Sequence, residues 1–252
     1  VLMKDIIKKN TTVNIPRYRT INSEDDVKNF LNNISDIAII KPVDGAGTLD
    51  TFKVSKDNYD EVIKIINDNF DKYEIEEFIE GEMYHIDTII YDGNPVFTSV
   101  GKYLLSTMEC HNSNPYVGYM YPNHEDKLIG KLVDTSNQVL AGMPIKEGVT
   151  HMELFLTNSG EVYFCEVAAR IAGSGIIFAI EDTCGINPLC QGAQAFVGIN
   201  PDMSKRRQQE NGGYVILYKK SGKITDISET NDFIDIPGIR TITILYKKDD
   251  VI

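Results

Sequence analysis

Residues 150–170 read THMELFLTNSGEVYFCEVAAR, two runs of strand-favouring side chains on either side of Asn158-Ser159-Gly160. β-Branched and aromatic residues suit a pleated surface, and a polar cluster ending in glycine between two such runs is a hairpin signal. A two-residue turn at Ser159-Gly160 sets Glu153 directly opposite Glu166. Two carboxylates facing each other across neighbouring antiparallel strands repel unless a cation lies between them. Carboxylate oxygens converging on one point are the ligands Mg²⁺ takes, with phosphate and water oxygens completing its octahedron. Period-two alternation puts His151, Phe155, Phe164, Ala168 and Arg170 on that same face, and Met152, Leu154, Tyr163, Cys165 and Val167 on the other. Both faces are then largely apolar, as in a sheet covered on both sides. Two alternatives stand beside the metal reading. One glutamate could lie at an exposed strand end while the other pairs with Arg170 or a lysine, and a three-residue turn would break the register.

Upstream, residues 37–42 (IAIIKP) predict a strand, followed by Asp44-Gly45-Ala46-Gly47-Thr48, a second strand at 51–55 (TFKVS) and a helix opened by Ser55 and running to about residue 70. Lys41 thus ends an apolar strand beside a loop whose N–H groups are unhindered, a combination that suits phosphate oxygens. The loop matches neither GxxxxGK[ST] nor GxGxxG, and a simple hairpin with an edge lysine fits it equally well. Residues 74–82 (EIEEFIEGE) set Ile75, Phe78 and Ile79 among Glu76, Glu77, Glu80 and Glu82. A solvated charge run is one reading. In the other, the backbone at 77 and 79 imitates a base-pairing edge for adenine, and a following carboxylate accepts ribose hydroxyl hydrogens.

Elsewhere the periodicity predicts helices over 1–9, from Ser23 onward, over 124–142, 174–183 and 188–198, the last opened by Asn187-Pro188. Strands are expected through 72–103, with Asp92-Gly93 as a hairpin turn, and in the tail after Gly212. Residues 106–123 read as a long polar, aromatic loop, in which Met108, His111, Tyr116 and Tyr119 are lining candidates by location.

The composition excludes several classes. Of 252 residues, 25 are Lys or Arg and 37 are Asp or Glu, a net charge of −12, which disfavours a nucleic-acid duplex as partner. No apolar run reaches the roughly 18 to 20 residues of a membrane span, and the opening VLMKDIIKKN alternates charge with apolarity, so the expectation is a cytoplasmic protein without a membrane partner. Cys110, Cys165, Cys184 and Cys190 form no CxxC pair and are read as reduced structural thiols. His85, His111, His124 and His151 make no HxxxH or HExxH pattern, so zinc has no support.

Four stretches taken in order, MKDIIKKNTTVNIPRYRT, AIIKPVDGAGT, IEEFIEGEMYHID and HMELFLTNSGEVYFCEVAARIAGSGI, resemble the ATP-grasp superfamily. The likeness is to its carboxylate–amine ligases of the amino-acid or dipeptide type, with biotin-carboxylase-like enzymes as relatives. The resemblance implies an α+β chain with two α+β lobes holding ATP between them. The ATP-grasp domain would span 1–200, with a small lobe over about 18–78 and a large lobe over about 79–200. A partial C-terminal β-rich subdomain would occupy 201–252. The family's usual N-terminal domain and first phosphate-binding lysine are expected to lie ahead of this segment, which reads as a piece of a longer protein.

By the same resemblance, Lys41 contacts ATP phosphates and the loop Gly45, Ala46, Gly47 and Thr48 folds over them. Glu76, Glu77, Phe78 and Ile79 form the adenine segment, with Glu77 and Ile79 acting through their main chains and Glu82 and Glu80 on the ribose. Glu153 and Glu166 hold Mg²⁺, with Mn²⁺ as a substitute, and Arg170 joins Lys41 in catalysis beside the transferred phosphoryl group or the substrate carboxylate. One departure concerns the metal: Ala168 stands where the family often carries a ligating asparagine, and His151, opposite it in the register, is a candidate replacement. The implied reaction is ADP-forming ligation of a small-molecule carboxylate to an amine through an acyl phosphate, with a homodimer as an allowed assembly. The rivals are a carboxylase-type enzyme activating bicarbonate and a nucleotide-binding regulatory module that has lost catalysis.

Overall fold

The computed structural model describes residues 2–45, 47–67, 69–105, 108, 127–173, 175–207, 211–217 and 221–252, and the backbone of 116–120. The chain divides into two compact units, Val1–Ile216 and Leu217–Ile252. The first carries two antiparallel sheets with their helices, an α+β architecture.

The apolar run at 37–42 forms β2 (Ile37–Pro42), an interior strand of a four-stranded sheet ordered β1-β4-β2-β3. Its companions are β1 (Tyr18–Thr20), β3 (Phe52–Ser55) and β4 (Tyr73–Glu77). Alternation separates the two faces of this sheet. Ala38, Ile40, Val54 and Ile75 join Val27, Phe30 and Leu31 of α2 (Glu24–Asn33) and Val62 and Ile66 of α3 (Tyr59–Ile66) in one core. Lys41, Glu74 and Glu76 alternate with those residues and share the opposite face. Helix α2 begins where expected: Ser23 precedes it and the Asp26 carboxylate accepts the Ser23 N–H at 3.1 Å. Helix α3 starts later than Ser55, because the Asn58 side chain ties residues 53–58 into a turn. Its Oδ1 accepts the Ser55 N–H at 2.8 Å and its Nδ2 donates to the Lys53 carbonyl at 2.8 Å.

The larger sheet has six strands in the order β10-β7-β6-β5-β8-β9. They are β5 (Gly81–Tyr91), β6 (Asn94–Tyr103), β7 (Tyr116–Met120), β8 (Gly148–Thr157), β9 (Val162–Ala168) and β10 (Gly213–Leu217). Asp92-Gly93 is the two-residue turn joining β5 to β6, with φ of 51° and 72°, the positive values that favour Asp-Gly there. The segment read as one long loop, 106–123, contains strand β7; the lining candidate His111 and the side chains of Tyr116 and Tyr119 lie outside the described residues. Helices cover both faces of the sheet. On one, α5 (Ile176–Cys184) and α6 (Pro188–Phe196) pack on Met83, Ile89, Phe97 and Cys165. On the other, Ile7 of α1 (Leu2–Asn10) and Ile129, Leu132 and Val139 of α4 (Lys127–Gly142) pack on Ile86, Val100, Met152, Leu154 and Phe164. Asn187 caps α6, accepting from Leu189 N at 3.0 Å and Cys190 N at 3.1 Å, with Pro188 at the first helical position.

Among its described residues the second unit, by itself, has one β-bridge, between Lys223 and Val251, an ion pair of 2.7 Å from Lys223 to Asp249, and a 3-10 turn at Thr230–Phe233. The strand content expected of the tail is therefore sparse among the described residues after 217. Among the described residues no helix is long and apolar enough to cross a membrane. Cys165, Cys184 and Cys190 are free thiols, and Cys110 lies outside the described residues.

Candidate functional site

Glu153 and Glu166 are direct cross-strand partners, and His151 faces Ala168, as the sequence predicts. The route to that register differs from the expectation. The turn has three residues, with Gly160 at φ 81° and the Thr157 N–H donating to the Glu161 carbonyl at 2.9 Å, which pairs Leu154 with Phe164. A β-bulge then makes Cys165 an extra residue on β9 and restores Glu153 opposite Glu166. The three-residue turn and the bulge together put three side chains on faces other than those expected, Tyr163 sharing the face of its partner Phe155. Phe164 packs with Leu154 in the α1/α4 core, while Cys165 turns to the α5/α6 side. There one ligand atom each of Glu153, Cys165 and Glu166 lies within 4.8 Å of the others.

The two carboxyl groups titrate apart. Burial pushes Glu153 up, but hydrogen bonds and charge from His151 and the hydroxyl of Tyr103 outweigh it and hold Glu153 below the ordinary carboxylate range. Burial and the neighbouring Glu153 charge push Glu166 above that range, with Lys41 opposing them. Burial raises the Cys165 thiol well above its ordinary value, so it stays protonated beside two carboxylates. This donor set fits a hard divalent cation: two facing carboxylates supply oxygens, and the strain of their like charges is what such an ion relieves.

Lys41 sits at the end of an interior strand, not an edge, and 14 % of its side chain is exposed. Its Nζ lies 2.8 Å from Glu76 Oε1 and 3.9 Å from Glu74 Oε1. Burial opposes its charge, but Cys165, Glu76 and Glu166 surround it and hold the ammonium above the ordinary lysine range. Of these the carboxylates count most, since the thiol is neutral. The same two glutamates are gripped from the other side by Lys4 of α1, only 1 % exposed, whose Nζ is 2.6 Å from Glu74 Oε1 and 2.5 Å from Glu76 Oε2. Burial raises the Glu74 carboxyl, but Lys4 and then Lys41 reverse that and hold it low. A solvated charge run is therefore wrong for residues 74 and 76. Sequence reading passed over Lys4; its signal is the three-residue step to Ile7, which puts a lysine on the buried stripe of an amphipathic helix.

The rest of the expected nucleotide segment is distributed as follows. Glu77 forms a two-pronged pair with Arg17, at 2.9 Å from Nε and 2.8 Å from Nη2, and its own N–H donates to the Arg17 carbonyl at 2.8 Å. Phe78 lies under Lys53 Nζ at 3.9 Å from the ring centre, and Ile79 is half-buried between the two sheets' strands β4 and β5. Glu80 is exposed, and Glu82 is paired with Lys102 at 2.5 Å and accepts from the Tyr84 hydroxyl at 3.1 Å. The loop after Lys41 joins β2 to β3; Gly47 and Thr48 have φ of 65° and 58°, Gly45 is exposed, and Ala46 lies outside the described residues. Arg170 follows β9, is exposed, and donates to the Ile171 carbonyl at 2.8 Å.

A second cluster was missed by the sequence reading. Asp87, 2 % exposed, accepts from or shares protons with two histidines: Oδ2 is 2.6 Å from His85 Nδ1 and Oδ1 is 2.8 Å from His151 Nδ1. The Tyr103 hydroxyl donates to Glu153 Oε1 at 2.8 Å and stands 3.4 Å from His151 Nε2, which is itself 3.7 Å from Glu153 Oε1. Burial lowers the His151 imidazolium, but the Asp87 charge and hydrogen bond, with Glu153, push it up to about 10. Its Nδ1 is held by Asp87, and its Nε2 faces Glu153 Oε1 at 3.7 Å. The His–Asp spacings are hydrogen-bond lengths, whereas two ligands on one tetrahedral ion of ~2.0 Å bonds stand about 3.3 Å apart. The signal in the sequence was the alternation of His85 and Asp87 inside MYHIDTII, polar groups at period two in a strand otherwise apolar.

The chain matches the ATP-grasp domain model over residues 2–174. It is 27% identical over 221 residues to the L-arginine-specific L-amino acid ligase of Bacillus subtilis, covering 85% of this chain and 53% of that protein. It is 27% identical over 183 residues to dapdiamide A synthase of Enterobacter agglomerans, covering 70% of this chain and 42% of that one. The L-amino acid ligase structure from Bacillus licheniformis superposes with a TM-score of 0.79 at 21% identity, over 99% of this chain and 61% of its own. A carboxyaminoimidazole ribonucleotide synthase from Aspergillus clavatus, complexed with ATP, gives a TM-score of 0.72 at 14% identity, over 89% and 57%. The chain thus spans about half the length of the relatives it matches in sequence. Four motifs in order, the two-sheet fold and a match over most of the length lead to one assignment: the chain belongs to the ATP-grasp domain family.

Proposed function

We propose that this chain is the nucleotide-binding part of an ATP- and Mg²⁺-dependent ligase that joins a small carboxylate to an amine, of the amino-acid or dipeptide kind. The observation that carries the reading is the pair Glu153 and Glu166, face to face, with the half-buried Lys41 within electrostatic reach of Glu166. Two carboxylates hold a divalent ion and a lysine ammonium beside them meets phosphate oxygens. Glu153 and Glu166 would hold Mg²⁺, which when bound supplies charge stabilisation for the phosphates. The main chain of Glu77 and Ile79 would receive adenine, Glu82 and Glu80 the ribose, and the loop from Gly45 to Thr48 the phosphates. Of these, Glu82 would have to release Lys102 to do so. Arg170, exposed beyond β9, would serve the transferred phosphoryl group or the substrate carboxylate.

The reaction is balanced without a side-chain nucleophile. A substrate carboxylate oxygen bonds to the γ-phosphorus of ATP as the bond to the β-phosphate oxygen breaks, giving ADP and an acyl phosphate. The amine then bonds to the acyl carbon, inorganic phosphate leaves with the C–O bonding pair, and the amine loses a proton. Lys41 neutralises charge on the phosphates in the first step. An L-amino acid as substrate is supported by the name of one sequence relative, the L-arginine-specific L-amino acid ligase. A nucleotide-binding module without turnover is the second reading, favoured by Ala168 opposite a His151 already committed to Asp87.

Calorimetric titration of this chain with a non-hydrolysable ATP analogue, with and without Mg²⁺, tests the site. Binding strengthened by Mg²⁺ in wild type, and insensitive to Mg²⁺ in Glu166→Gln, is the expected result; equal Mg²⁺ dependence in both removes Glu166 from the metal. ADP release with amino-acid pairs in the protein of full length then separates the ligase from the silent module.

A further inference from the structure

Glu153 is the better-built member of the carboxylate pair, and its surroundings extend across three strands. Its Oε1 accepts the Tyr103 hydroxyl of β6 at 2.8 Å and faces His151 Nε2 of β8 at 3.7 Å. His151 is turned by Asp87 of β5, whose carboxylate also holds His85. The rings of His85 and Tyr103 lie 5.1 Å apart and those of His85 and His151 5.6 Å apart. The backbone is shaped around this group as well: Gly101 pairs with His85, and a Cβ there would collide with the His85 ring at Nε2. Glu166, in contrast, has no comparable set of donors among the described residues. Burying two histidines and an aspartate costs free energy that an apolar triplet would not, so the group calls for a role.

We infer that Tyr103 and the buried His85–Asp87–His151 group are positioning residues for the metal-binding carboxylate of Glu153. They occupy Oε1 and fix the carboxylate plane, leaving Oε2 to the ion shared with Glu166. The inference rests on the proposed metal site and adds what holds one of its ligands in place. Outer partners of metal ligands act this way in general, orienting the ligand so that its rotamer freedom is not lost at the moment of binding.

The test is Mn²⁺ binding, followed by electron paramagnetic resonance in the presence of a non-hydrolysable ATP analogue, to wild type, Tyr103→Phe, Asp87→Asn, Glu153→Gln and the Tyr103→Phe/Glu153→Gln double variant. Tyr103→Phe keeps its ring in the core and removes only the donor, so it remains informative where Asp87→Asn fails to fold. Expected is a loss of Mn²⁺ affinity of about 10-fold or more in Tyr103→Phe, the scale for removing an outer partner. The loss should disappear when Glu153 is already Gln, because the hydroxyl then has no carboxylate to hold. Unchanged Mn²⁺ affinity in Tyr103→Phe, or an equal loss with and without Glu153, overturns the inference while the metal site stands. Absence of Mn²⁺ binding in wild type overturns the metal site and the inference with it.

Discussion

The polar face of the small sheet and the polar island of the large sheet are built from similar groups but balanced differently. On the small sheet two ammonium groups, Lys4 and Lys41, meet two carboxylates, Glu74 and Glu76, and the charges are matched. On the large sheet His151 is shared between Asp87 and Glu153, and Glu166 is left facing Glu153 with Lys41 as its nearby cation. The contrast teaches where a ligand has something to do. A balanced cluster holds elements together, here α1 against β4, whereas an unbalanced one has unspent affinity for a cation. Lys41 belongs to both, so it links the lysine–glutamate cluster to the carboxylate pair.

The largest effect is expected at Lys4. If the small-sheet cluster is structural, Lys4→Met leaves Glu74 and Glu76 short of a buried partner and lowers stability by about 3–5 kcal/mol, measured by urea unfolding. A loss below ~1 kcal/mol would mean that α1 does not depend on the pair. Glu74→Gln is expected to cost about 1.5–3 kcal/mol at neutral pH, the scale of a charge-assisted hydrogen bond. Its folded carboxyl is held below the ordinary value, so the stability it contributes is present above the unfolded pKa and is lost as pH falls through the lowered folded one. The wild-type and Glu74→Gln unfolding curves should therefore converge in acid, and a constant gap down to pH 2 would contradict the ion pair. The smallest effect has the opposite sign. Glu166→Gln in metal-free protein removes a like-charge pair and should raise stability by a few tenths to about 1 kcal/mol, while abolishing any increment from added Mg²⁺ and nucleotide. Destabilisation instead would show that the large-sheet pair is already compensated.

Much of the site was legible in particular residues. Alternation placed Lys41 at the end of its strand and His151 opposite Ala168, and it brought Glu153 to Glu166. That last result survived a wrong turn, since the three-residue loop and the Cys165 bulge offset each other in register. The face assignments of Tyr163, Phe164 and Cys165 did not survive it, because a one-residue shift in register reverses every side chain up to the bulge that restores it. Glycine third in Asn158-Ser159-Gly160 suits the left-handed position of a three-residue turn, whereas nothing local marks the bulge at Cys165.

Short-range periodicity thus encodes which residues form strands, which alternate inward, and which two carboxylates a hairpin can bring together. The tertiary structure alone decided the partners across long separations. Lys4 meets Glu74 across 70 positions, His151 meets Asp87 across 64, and Tyr103 meets Glu153 across 50. Such pairings depend on the order of strands within each sheet and on where α1 docks. Those follow from burying three apolar cores at once, a property of the whole chain and not of any window of it.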